Sequence, residues 1–220
     1  DPISAWRETK EQYPEPGHLL PTAQTQVKEL LEFLQRGSVV SLPESEPVAV
    51  APSPEFYRWA FASMWTPGPF ESNPSRAYYY LTDVDPGWSP ERQKEHMRYF
   101  NVPTLWNVSI HEVDSGHLLQ YQHLRQVESR VRRSTLLAPM SFVEGWAHYC
   151  EHMMAEVGFG RGDVTVKLGQ LAEALVRLAR FVVAIRLHRE DLSVEQGMRI
   201  FRDEAFIEES TARREAERGT

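Results

Sequence analysis

A chain of 220 residues with 41% hydrophobic and 25% charged side chains has apolar material for a substantial core, which excludes a disordered or low-complexity protein. Its formal charge of −7 argues against nucleic acid as a principal partner, because gripping a phosphate backbone takes a surplus of Lys and Arg on one face. The lone cysteine, Cys150, excludes an internal disulfide and a thiolate cluster, so a metal centre here must draw on His and carboxylates.

The first 21 residues hold four prolines and little periodicity, and then Val27, Leu30, Leu31 and Leu34 recur at helical spacing before Gly37, which predicts a helix over Thr22–Arg36. Between Ser38 and Pro90, β-branched and aromatic residues fall in short runs, Pro47–Val50, Phe61–Trp65 and Ala77–Thr82. The turn formers Pro67-Gly68-Pro69 and Asn73-Pro74 separate them, so a small sheet or hairpin layer is expected. After Ser89 everything reads as helix. Ser89-Pro90 caps Glu91–Phe100, Pro103 opens a second helix, Ser141 caps a third ending at Gly158, and Asp163 caps a long one. On that long helix Leu168, Leu171, Leu175, Leu178, Val182 and Ile185 keep the spacing of a buried face, with Lys167, Glu173, Arg177 and Arg180 toward the other side. Ser193 to Gln196 is a capping box, and Ala205–Arg218 a final charged helix.

The fold class expected is mainly α with a small β layer, as one domain over residues 1–220. Residues 1–88 form a helix-plus-β part and residues 89–220 a helical part. The longest apolar run, Phe181–Ile185, is flanked by arginines and far short of the roughly 20 residues of a membrane span. A start at Asp1 without Met and a stop within charged sequence read as a piece cut from a longer chain.

Five of the eight histidines fall between positions 111 and 152, where even scatter would put about one or two. The densest stretch is His111-Glu112-Val113-Asp114-Ser115-Gly116-His117. A second segment offers Glu144, His148 and Glu151 at i, i+4 and i+7, one face of a helix. A catalytic zinc needs three N/O ligands, an open position for water and a carboxylate to take the water's proton. Two histidines from one segment, a carboxylate from the other and Glu112 as base supply those parts. The six-residue separation of His111 and His117 would leave their side chains about 120° apart around a straight helix and about 9 Å apart along it. The metal reading therefore predicts a broken turn within Val113–Gly116.

The run His111-Glu112-x-x-x-Gly116-His117-x-x-Gln120, followed by Phe142-x-Glu144-Gly145-Trp146-Ala147-x-Tyr149-x-Glu151, resembles the bacterial family of unknown function DUF885. The likeness extends more loosely through Pro67-Gly68-Pro69-Phe70, Tyr78-Tyr79-Tyr80 and Ser193–Thr220. It implies a zincin-like metallopeptidase with zinc on His111, His117 and Glu144, Glu112 as catalytic base, and Glu151 as a second carboxylate behind the ligands. It also implies a longer protein, in which a missing N-terminal half and C-terminal tail complete the cleft. The sequence departs from the family at Ser115, where proline is usual, and at His148, which offers an alternative ligand.

Asp114 is a further candidate for orienting a ligand from behind. By the resemblance His188 stands near the cleft as a donor to the scissile carbonyl, although a His at a helix C-terminus is also favoured by the helix dipole. Tyr78 and Tyr80 share one side of the Ala77–Thr82 strand, a candidate edge for aligning an extended peptide. The function expected is zinc-dependent peptide hydrolysis; the alternative is a truncated metal-binding module with no catalysis of its own. A di-iron bundle expects Glu-x-x-His pairs on two helices, and the one such pair in the chain, Glu15-Pro16-Gly17-His18, is interrupted by Pro and Gly, which argues against it.

Overall fold

The computed structural model describes residues 1–43, 48–72 and 74–219. Helix accounts for 62% of the chain and the sheet is small, in agreement with the mainly α expectation. The start of the Pro47–Val50 run and Asn73 of the Asn73-Pro74 turn lie outside the described residues. The chain forms two compact units. One contains Asp1–Pro14, Val84–Thr104 and Asp163–Thr220; the other contains Glu15–Asp83 and Leu105–Gly162.

In the first unit, α1 (Pro2–Thr9) is capped by the Asp1 carboxylate and α3 (Pro90–Tyr99) by Ser89, whose Oγ accepts from Arg92 N. The long α8 (Val164–Arg189) starts at Asp163, which accepts from Thr165 N at 2.9 Å. α9 (Val194–Glu204) opens with the capping box of Ser193 and Gln196. The final helix is shorter than its charge pattern suggests: α10 spans Glu209–Arg218, and Ala205 belongs to the end of α9. Phe206, at φ 57°, turns the chain between them.

The buried face of α8 is not the leucine stripe. Val166, Gly169, Ala172, Val176, Ala179 and Val183 are buried, whereas Leu171, Leu175, Val182 and Ile185 are exposed, with Leu178 at 61% and Phe181 at 67%. Both stripes have helical period, and close packing decides between them. A Cβ at Gly169 would lie 2.7 Å from the Pro103 backbone, and small side chains let α8 approach its neighbours. Val176, Ala179 and Val183 join Met198 and Phe201 of α9 and Ala212 and Ala216 of α10 in one core. The face expected in solvent carries buried charge instead. Arg180 donates twice to the buried Glu215, at 2.6 and 2.8 Å, and Glu173 is buried as well.

In the second unit, α2 (Leu19–Gly37) begins three residues before the expected Thr22, since Pro21 is tolerated in a first turn. It buries Leu19, Ala23, Val27, Leu30 and Leu34. The strands β1 (Ala49–Pro52), β2 (Ala62–Trp65) and β3 (Tyr78–Leu81) make one sheet in the order β1-β3-β2, parallel on one side and antiparallel on the other. β3 is therefore central. α4 (Val102–Glu112) reaches this unit at Leu105 and is followed by α5 (His117–Gln126), α6 (Arg130–Arg133) and α7 (Met140–Glu156). Ser141 does not cap α7: the helix starts at Met140 with Pro139 at its cap position, so Ser141 lies inside the first turn. The Pro67–Phe70 loop is fastened by Arg125, which donates to Gly68 O and Glu71 O, and by Arg133, which donates to Pro69 O. No helix among the described residues is long and apolar enough to cross a membrane.

Candidate metal centre

The broken turn expected between the two histidines is present. α4 ends at Glu112, α5 begins at His117, and the four residues between them fold back on the end of α4. Glycine is required there by contact. A Cβ on Gly116 would stand 1.7 Å from His111 O and 2.7 Å from Ile110 O. Ser115 donates through Oγ to Ile110 O at 2.9 Å, satisfying a carbonyl that the interrupted helix leaves without an intrahelical partner. Two side chains of α7 fasten the break from outside. Trp146 Nε1 donates to Gly116 O at 3.1 Å and Cys150 Sγ to Ser115 O at 2.9 Å. Their i, i+4 spacing puts them on a common side of α7, the one signal in the sequence that pairs them.

The break swings the two imidazoles together, with ring centroids 4.7 Å apart and planes at 87°. Both are buried. From α7, the half-exposed Glu144 carboxylate reaches them, with Oε2 3.5 Å from His111 Nε2 and Oε1 3.8 Å from His117 Nε2. One ligand atom from each of the three lies within 4.8 Å of the others, so the group can hold a metal ion. For zinc, with ligand distances of about 2.0–2.1 Å, tetrahedral neighbours stand about 3.3–3.5 Å apart, so the His111–Glu144 spacing already fits and the remaining edges need side-chain adjustment only. Two imidazoles and one carboxylate suit zinc and other divalent transition ions, and no thiolate takes part.

Glu151, one face-turn on from Glu144 and His148, is almost wholly buried at 1% exposure. Its Oε1 lies 2.7 Å from His111 Nδ1, which leaves Nε2 of that ring facing Glu144. His148 stands on the other carboxylate oxygen at 3.4 Å and is half exposed. A buried carboxylate behind a ligand imidazole fixes its tautomer and raises its basicity. Replacing Glu151 by Gln is expected to weaken zinc binding about 10–100-fold in a calorimetric titration. Unchanged affinity would show that this contact does not tune His111.

Glu112 is buried in the last turn of α4, beside His111. Asp114 lies inside the break, where burial pushes its carboxyl up to about 6 against the pull of its own backbone N–H. The carboxylate on His111 Nδ1 is that of Glu151, at 2.7 Å. A carboxyl raised above its unfolded value contributes stability below the unfolded pKa and loses it as pH rises through about 6. Asp114→Asn is therefore expected to leave stability unchanged near pH 4 and to raise it at pH 8 by up to about 3 kcal/mol, read from urea unfolding at both values.

Tyr78 and Tyr80 stack at 5.4 Å with planes 5° apart. Their strand cannot serve as a free edge, because β3 pairs with β1 on one side and β2 on the other along all four residues. The edges of the sheet are β1 and β2. His188 belongs to the first unit, in the last turn of α8, exposed and with Nδ1 donating to Ala184 O at 2.8 Å.

A solved structure of a presumed lipoprotein of unknown function from Shewanella oneidensis superposes with a TM-score of 0.82 at 26% identity, over 99% of this chain and 38% of that one. A second, of a presumed lipoprotein from Colwellia psychrerythraea, gives 0.72 at 23% identity, over 92% of this chain and 32% of that one, and shows the shared fold. The chain thus spans little more than a third of the first relative's length. Among curated proteins no sequence relative is found. The family described as "Bacterial protein of unknown function (DUF885)" matches residues 3–220, and the chain belongs to it.

Proposed function

We propose that the chain carries the catalytic part of a zincin-like zinc metallopeptidase, hydrolysing peptide bonds with Glu112 as general base. The observation that carries this reading is the convergence of His111, His117 and Glu144, with a glutamate directly following the first histidine and a buried carboxylate behind it. His111, His117 and Glu144 would hold the ion. Zinc at that position supplies Lewis acidity and a lowered water pKa near neutrality.

The chain's own residues perform the proton transfers. Glu112 accepts a proton from water as the water oxygen bonds to the peptide carbonyl carbon, and it delivers that proton to the departing amine nitrogen as the C–N bond breaks. Glu151 keeps His111 in the tautomer that presents Nε2. Burial of both imidazoles and of Glu112 excludes bulk water and strengthens electrostatic interactions within the site. Tyr78 and Tyr80 are proposed as substrate-contacting residues.

A second reading, a metal-holding module without catalysis of its own, is favoured by one observation: the solved relatives are far longer than this stretch. The two separate when metal-free and zinc-loaded protein are incubated with a mixed peptide library and the products read by mass spectrometry. The peptidase reading expects cleavage in the loaded sample alone, abolished by chelator. Bound zinc without cleavage would overturn it for this chain and leave the module.

A further inference from the structure

We infer that Tyr121 is a further catalytic residue of the same centre, its phenol donating a hydrogen bond to the substrate carbonyl oxygen as that oxygen gains negative charge. This rests on the metallopeptidase reading and goes beyond it, since the sequence motifs leave Tyr121 unassigned. Tyr121 follows His117 by four residues, so both side chains leave α5 on one face. The rings stand 6.3 Å apart with planes tilted by 34°, and Tyr121 is only half buried, so it flanks a candidate ligand while keeping access to the open side.

Its surroundings suit a donor rather than a base. A phenol carries its proton at neutral pH, and the fields of the Glu144 and Glu112 carboxylates reach this one. The group thus lies within electrostatic reach of both the exposed candidate ligand and the candidate base, between which a reacting carbonyl would have to sit. Fixed donors aimed at developing negative charge are among the strongest contributors to acyl-transfer catalysis. A ring that only packed against His117 would need no hydroxyl.

The test uses Tyr121→Phe, which keeps the ring and removes the donor, with methylphosphonate as a tetrahedral oxyanion probe titrated into zinc-loaded protein. Zinc affinity and the urea midpoint are expected to match wild type, and the probe to bind about 10–100-fold more weakly in the variant. For any peptide that wild type cleaves, kcat is expected to fall by a similar factor with KM little changed. Equal probe affinity in the two proteins would overturn the assignment, as would a zinc-loaded wild type that does not bind the probe. The underlying reading fails separately: full hydrolysis by Glu112→Gln would remove the assigned base while the probe titration still decides on Tyr121.

Discussion

Glu112→Gln is expected to lower peptide turnover by about 10²–10⁴-fold while leaving zinc bound. The substitution preserves size and removes only the capacity to accept a proton. Because Glu112 is buried in the last regular turn of α4, its position is fixed by helix geometry, and an amide of equal volume should occupy the same space. Burial first, and the Glu112 charge among the further causes, hold the Tyr79 and Tyr121 phenols above their ordinary value. Zinc affinity should stay within about threefold and the urea midpoint unchanged, since no assigned ligand is altered. Turnover at the wild-type rate would remove Glu112 from the mechanism.

Gly116→Ala is expected to have the largest effect on the centre itself. The atoms that a new Cβ would meet at 1.7, 2.4 and 2.7 Å are backbone atoms of His111 and Ile110, which no rotamer change can move away. The break must reopen, carrying His117 away from His111 and loosening the contacts from Trp146 and Cys150. A loss of about 3 kcal/mol in stability is expected, at the upper end for overpacking, together with at least about 100-fold weaker zinc binding. Gly145→Ala is the matched control. Nothing lies within 4 Å of a Cβ there and the residue is inside α7, so alanine should be neutral or stabilising by up to about 1 kcal/mol. Equal behaviour of the two variants, in urea unfolding and zinc titration, would contradict the packing argument.

Local chemistry was the most legible part of the sequence. Ser89, Asp163 and the Ser193–Gln196 box cap the helices they were expected to cap, because a cap is a contact within three residues. The histidine spacing implied a broken turn, and the i, i+4, i+7 order of Glu144, His148 and Glu151 placed them on one face, because both follow from helix geometry alone. Contacts between elements were less legible. The α8 stripes share one period, and only the partners of Gly169, Val176 and Val183 reveal which faces inward. Arg180 and Glu173 appeared solvated because their neighbours, Glu215 for Arg180, come from distant sequence or from packing. The strand over Ala77–Thr82 was recognisable, but its central place depends on two pairings that a single strand does not encode.

The most direct measurement is anomalous diffraction at the zinc edge on crystals grown from zinc-loaded protein. A single peak within about 2.0–2.2 Å of His111 Nε2, a His117 ring nitrogen and a Glu144 oxygen is the result predicted. A peak elsewhere, or zinc bound with these three side chains turned apart, would contradict the centre on which the functional reading stands.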